Sequence, residues 1–214
     1  MNAQPVTVSV GAITLHGDLG LPREAKGVVL FAHGSGSGRL SPRNRFVAQT
    51  LQKRGLATLL LDLLEEREAD DRRKVFDIDL LADRLLGATA WLRQHPATAD
   101  LPLGYFGAST GAGAALQAAA RMPEAVAAVV SRGGRPDLAA PYLARVTAPT
   151  LLIVGGHDWP VIEMNQEALA KLTCPKELII VPGATHLFKE AGTLEQVADH
   201  AGEWFERHFS AHYS

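Results

Sequence analysis

The chain has 214 residues, with 21 Lys and Arg against 23 Asp and Glu, a formal net charge of −2 and 47% apolar residues. That length supports one sizeable core, so a single domain is expected over residues 1–214. Near-neutral charge, with no basic stripe or acidic tail, argues against a nucleic-acid partner, and no apolar run reaches bilayer length. The lone Cys174 rules out an internal disulfide. It lies beside Pro175, away from any histidine or Gly-rich turn, and reads as a structural thiol. Residues 1–10 lack the basic and apolar regions of a leader, so the expected location is cytoplasmic, with no membrane partner. Nothing indicates the oligomeric state.

Residues 6–10 and 12–19 flank Gly11 and predict an opening hairpin. Six short apolar runs then follow, at residues 27–31, 57–63, 102–106, 125–130, 150–154 and 177–181. Runs without alternation fit strands buried on both faces. Helical patterns lie between them. Residues 42–54 are amphipathic and stop at Gly55, and residues 75–94 place Ile78, Leu81, Leu85 and Leu86 on one face before ending ahead of Pro96. Residues 112–121 are an alanine-rich helix, residues 138–145 a small one, and residues 161–172 and 194–209 complete the set. The mixed charges from Asp70 to Lys74 read as a solvated loop. Strand–helix alternation implies an α/β fold, an open parallel sheet with helices on both faces. The segment at 131–149 is too short for a large cap, so the predicted site is open.

The strand at 102–106 runs into Gly107-Ala108-Ser109-Thr110-Gly111 and then the alanine-rich helix. A sharp strand-to-helix turn lifts its central residue clear of the sheet and tolerates only small neighbours, which makes Ser109 the candidate nucleophile. A serine hydroxyl needs a base, and that base needs an orienting partner. The run at 150–154 is followed by Gly155-Gly156-His157-Asp158-Trp159-Pro160, and the run at 177–181 by Pro182-Gly183-Ala184-Thr185-His186. Asp158 and His186 therefore fall at carboxyl ends of strands, where doubly wound sheets gather their reactive groups. In this reading His186 takes the Ser109 proton while Asp158 fixes the imidazole tautomer. Asp137 is the reserve acid.

An oxyanion needs two donors. The Thr110 N–H, at a helix start, supplies one. The second is expected from Ala32-His33-Gly34-Ser35-Gly36-Ser37-Gly38, at the Ser35 N–H with Gly36 in reserve. His33 precedes this loop and reads as a brace. Gly36, Arg132, Arg135, Trp159, Leu187 and Phe188 are candidate substrate-pocket residues. Arg132 and Arg135 have the chemistry to hold a substrate carboxylate or to pair with surface acids. Arg43 and Arg45 are expected to pair with acids of the segment from Glu65 to Asp71.

These residues resemble the dienelactone hydrolase-like branch of the α/β-hydrolases along nearly the whole chain. The marks are Phe31-Ala32-His33-Gly34-Ser35-Gly36-Ser37-Gly38, Ser41-Pro42-Arg43-Asn44-Arg45, Gly107-Ala108-Ser109-Thr110-Gly111, Gly155-Gly156-His157-Asp158 and Ala184-Thr185-His186. The resemblance implies an eight-stranded, mostly parallel sheet with the second strand antiparallel. It also implies hydrolysis of an ester or lactone with no cofactor and no metal. Dienelactone hydrolase proper uses a cysteine nucleophile, whereas this chain has Ser109. That departure points away from a muconate-type lactone and toward small acyl esters as substrate partners.

Other functions fit less well. A nucleotide-binding oxidoreductase would match the Gly107, Gly111 and Gly113 spacing, but no tyrosine here has a lysine four residues on. A non-catalytic hydrolase-fold binding module would be expected to have lost a triad residue. A thioesterase, peptidase or perhydrolase would use the same triad.

Overall fold

The computed structural model describes residues 3–213. Its strands are β1 (Gln4–Val10), β2 (Ile13–Gly20), β3 (Val28–Ala32), β4 (Ala57–Leu61), β5 (Leu103–Ala108), β6 (Ala128–Arg132), β7 (Thr150–Gly155) and β8 (Lys176–Val181). They form one eight-stranded sheet in the order β1-β2-β4-β3-β5-β6-β7-β8. The pairs β1–β2 and β2–β4 are antiparallel, and all the others are parallel. Only β2 runs against the rest, as the resemblance implied.

The helices are α1 (Pro42–Lys53), α2 (Glu66–Ala69), α3 (Arg72–Val75), α4 (Ile78–Gln94), α5 (Thr110–Arg121), α6 (Trp159–Lys171) and α7 (Thr193–Ser210), with a 3-10 helix at Pro136–Arg145. α4, α5 and the 3-10 helix pack on one face of the sheet around Leu30, Leu59, Tyr105 and Leu152. α1 and α7 cover the other face around Phe31, Phe106, Val130 and Ile153. α5 is buried from Thr110 to Ala120. Its small side chains let the helix lie close on the sheet, so packing rather than an amphipathic stripe holds it there. None of the helices among the described residues is long and apolar enough to cross a membrane.

The chain leaves β3 for β4 on one side and later takes up β5 on the other. This reversal opens a crevice at the carboxyl ends of β3 and β5, the usual ligand position in such sheets. The segments that follow those two strands are the Gly-rich loop at 33–38 and the Ser109 turn.

Three expectations change. The strand expected at 125–130 lies at Ala128–Arg132, extended through the buried Ser131 and Arg132, where an apolar run ends but hydrogen-bonded strand does not. β8 is an edge strand with only Val181 buried, because no further strand covers it. The segment from Asp70 to Lys74 is solvated as expected, with residues 70–73 exposed, but it is not all loop. It includes most of α3, and Asp71 caps that helix by accepting from the Arg73 N–H at 2.9 Å.

A buried ion pair lies just before that segment, and Lys74 reaches the Glu68 of that pair at 3.3 Å. Arg84 on α4 donates from Nη1 and Nη2 to Glu68 Oε2 and Oε1, both at 2.9 Å, and from Nη1 to the Leu63 carbonyl at 3.1 Å. Arg84 is 7% and Glu68 6% exposed. Arg84 holds the Glu68 carboxyl at about 2, against an ordinary 4.5. A depressed carboxylate stabilises the fold above its unfolded value, so that contribution fades as pH falls from 4.5 toward about 2. Arg84→Met takes the bidentate partner from a buried carboxylate that the Glu65 N–H, at 2.9 Å, and Lys74, at 3.3 Å, still meet. We expect a loss of about 3–5 kcal/mol in urea unfolding at neutral pH, shrinking as the medium is acidified.

Candidate active site

Ser109 stands between β5 and α5 with φ 52° and ψ −122°. Such a backbone costs about 1–3 kcal/mol in a non-glycine residue and persists only where its surroundings enforce it. Here the Ser109 N–H donates to the Arg132 carbonyl at 3.3 Å, and its own carbonyl accepts from the N–H groups of Arg135 and Ala112 at 3.0 and 3.1 Å. The flanking glycines are needed for room. A Cβ on Gly107 would lie 2.5 Å from Ala112 Cα, and one on Gly111 would lie 2.1 Å from the Ala32 carbonyl oxygen. Both neighbours are backbone, which cannot swing aside. The turn is therefore wedged between α5 and the end of β3.

Asp158 follows β7 and His186 follows β8. His186 Nδ1 is 2.7 Å from Asp158 Oδ2, with the imidazole 40% and the carboxylate 12% exposed. Nε2 is then left facing away from the acid. Backbone contacts hold the two segments together. The His157 N–H donates to the Ala184 carbonyl at 2.9 Å, and the Asp158 N–H to the Gly155 carbonyl at 3.0 Å. A Cβ on Gly155 would lie 2.4 Å from the Ala184 oxygen, so the glycine lets this turn and the histidine loop close on one another. Glu190 pins the loop from its far side, accepting from the Thr185 N–H at 3.1 Å and the Thr185 hydroxyl at 2.5 Å.

The turn after β6 connects the two parts. Arg132 and Arg135 hold the Ser109 backbone, and a Cβ on the intervening Gly133 would meet His186 Cε1 and Nδ1 at 3.4 Å. Ser109 and His186 thus flank one turn at one rim of the sheet. Among the described residues the Ser109 hydroxyl makes no hydrogen bond, to His186 or to any other group. Contacts between nucleophile and base are often loose without substrate. Asp137, the reserve acid, is engaged elsewhere, accepting from Arg135 Nε and Nη2 at 2.9 and 2.8 Å.

The Gly-rich loop lies directly against the serine: a Cβ on Gly34 would sit 3.1 Å from Ser109 Cβ. His33 braces it. Its Nδ1–H donates to the Gly34 carbonyl at 2.9 Å, and Nε2 accepts from the Leu63 N–H at 2.9 Å, which together require the neutral ring. Burial pushes its pKa below the ordinary histidine value, in keeping with that role. Asp62 clamps the far end, accepting from the Arg39 N–H at 2.6 Å. The Ser35 and Thr110 N–H groups have no partner among the described residues. Ser35 is exposed, and Thr110 opens α5.

The candidate pocket residues scatter. Gly36 borders a cleft of about 660 Å³ along the Gly-rich loop, together with Ser35, Arg39, Asp62, Leu64 and Val75. Trp159 is 70% exposed, Leu187 half-buried, and Phe188 buried in the α1/α7 core with φ 52°. Arg135 is occupied by Asp137. Arg45 meets Asp18 at 3.6 Å on β2 and not the 65–71 segment, and Arg43 makes no ion pair among the described residues. The acids of that segment are turned elsewhere, Glu68 to Arg84 and Glu65 to its neighbour Arg67. Sequence reading missed Asp62 and Glu190. Asp62, just past a buried strand, carried the signal that singled out Asp158; Glu190 carried none.

The model of the dienelactone hydrolase family matches residues 15–211. The chain belongs to that family. A solved dienelactone hydrolase from Anabaena variabilis is 59% identical, with a TM-score of 0.94 over 97% of this chain and 99% of that one. Est1E from Butyrivibrio proteoclasticus, 16% identical, shares the fold at a TM-score of 0.83 over 98% of this chain and 100% of its own. A Mycobacterium tuberculosis H37Rv protein with the provisional name of a phosphoribosyl transferase is 58% identical over 205 residues, 96% of this chain. This family member spans only 46% of that protein's length.

Proposed function

We propose that this chain is a serine hydrolase that cleaves small carboxylic esters, lactones among them, through an acyl-enzyme. The observation that carries the reading is the 2.7 Å bond between His186 Nδ1 and Asp158, at the rim where the strained Ser109 turn stands. Membership of the dienelactone hydrolase family supports it, since a lactone is an internal ester.

The steps follow from the residues. Ser109 Oγ attacks the acyl carbon while its proton passes to His186 Nε2. Asp158 stabilises the resulting imidazolium. The carbonyl oxygen, now carrying the negative charge, accepts from the N–H groups of Thr110 and Ser35. His186 returns the proton to the departing alkoxide, leaving the acyl group on Ser109. Water, deprotonated by the same imidazole, then releases the acid and restores the hydroxyl. A fluorophosphonate probe should label Ser109, and p-nitrophenyl esters of graded acyl length, with aryl lactones beside them, should be hydrolysed. A folded protein that neither takes the label nor cleaves any of these compounds would sink the proposal.

A further inference from the structure

Asn165 lies in the middle of α6 and is fully buried. Its Nδ2 donates to the Val161 carbonyl of the same helix at 2.8 Å and to the Gly134 carbonyl at 3.1 Å. Its Oδ1 is buried with no hydrogen-bond partner among the described residues. A buried amide that leaves its oxygen unmet is costly, and the other buried residues of α6, Val161 and Ala168, are apolar. Packing alone would be served better by leucine. What the amide contributes lies in what Nδ2 holds.

Gly134 belongs to the turn after β6. Gly133 and Gly134 are adjacent glycines, free to adopt many backbone conformations, so the turn must be fixed from outside. The Gly133 N–H donates to the Ile153 carbonyl on β7 at 2.8 Å. The Gly134 carbonyl accepts from Asn165 and from no other donor among the described residues. Ser131 Oγ, which a Cβ on Gly134 would strike at 1.9 Å, makes no hydrogen bond among the described residues. Asn165 is thus the side chain that fixes the middle of this turn.

The turn touches both partners of the proposed proton transfer. Its two ends hold the Ser109 backbone, through the Arg132 carbonyl at 3.3 Å and the Arg135 N–H at 3.0 Å. Its middle faces the His186 ring across Gly133, and the first turn of α5 across Gly134, where a Cβ would meet Ala112 Cβ at 2.6 Å. Asp158 caps the start of α6, and Asn165 stands about two helical turns further along, on the same side. One helix therefore carries both the acid and the tie to the serine turn.

We propose that Asn165 is a positioning residue, which sets Ser109 against His186 through the Gly134 carbonyl. The proposal rests on the hydrolase reading and adds to it a side chain that acts through the backbone and not on the substrate.

Asn165→Leu keeps the bulk and removes the donor. Asn165→Ser keeps a donor for the Val161 carbonyl but holds it too near the helix to reach Gly134, and it keeps the test decisive if Asn165→Leu does not fold. On p-nitrophenyl acetate either variant should lower kcat roughly 10- to 100-fold with KM changed by no more than about twofold. Labelling of Ser109 by a fluorophosphonate should slow by a similar factor, with circular dichroism and urea unfolding reporting the folded fraction. A merely structural tie would lower stability and leave kcat per folded molecule unchanged, and that result overturns the proposal. Hydrogen exchange gives a readout that needs no turnover. The Gly133 and Arg135 amides should exchange roughly 10-fold faster or more in the variants, while the amides of β7 keep their rates. If the wild-type protein cleaves no ester, the hydrolase reading fails separately, and exchange decides whether Asn165 sets the turn. Faster exchange at Gly133 and Arg135 supports it, and unaltered exchange refutes it.

Discussion

Ser109→Ala should lower kcat by roughly 10⁶ on any ester the protein hydrolyses, and abolish labelling by a fluorophosphonate. The size of the effect follows from what is removed. In the proposed mechanism alanine takes away the atom that bonds covalently to the acyl group, so His186 is left with nothing to deprotonate but water. Thr110 and Ser35 keep their N–H groups, so some rate above the uncatalysed reaction should survive. Stability should change little, because the hydroxyl makes no hydrogen bond among the described residues. Steady-state rates on p-nitrophenyl esters, with urea unfolding alongside, check both halves. A variant that retained a tenth of wild-type activity would show that another group attacks the ester.

Asp158→Asn should cost roughly 10⁴ in kcat while leaving the backbone in place. The carboxylate accepts from the Nδ1–H of His186 at 2.7 Å, which leaves Nε2 free to take a proton. An asparagine can instead turn its amide N–H toward Nδ1. The ring then carries its proton on Nε2, where it cannot act as a base, and the imidazolium loses its counter-charge. Asp137→Asn is the control, because its carboxylate is bound by Arg135 through two hydrogen bonds. Near-normal activity for Asp158→Asn, with loss in Asp137→Asn, would move the acid to the strand before.

Much of this site was legible because its parts are local. Gly107 and Gly111 flank Ser109 for a reason the letters carry: a tight strand-to-helix turn has no room for side chains there. Apolar runs marked the strands, and the positions just after them contained Asp158 and His186. The parts that were not legible depend on partners distant in the chain. Glu68 was among the acids expected to meet Arg43 or Arg45, yet Arg84 on α4 meets it inside the protein. Arg135 and Arg132 were equivalent candidates in the sequence, yet one is neutralised two residues away and the other is buried against Asn44 and Phe188. Phe188 follows the histidine closely but turns inward, into the core under α1 and α7.

Local sterics and hydrophobic patterning act over a few residues, so the sequence by itself determined the alternating α/β order, the strained turn at Ser109 and the order of serine, aspartate and histidine. Which charges are paired, and which are buried with no carboxylate beside them, were decided only by the tertiary structure. Those outcomes depend on the dielectric and the partners that folding brings to each group, and neither exists until β6, α1 and the histidine loop have come together.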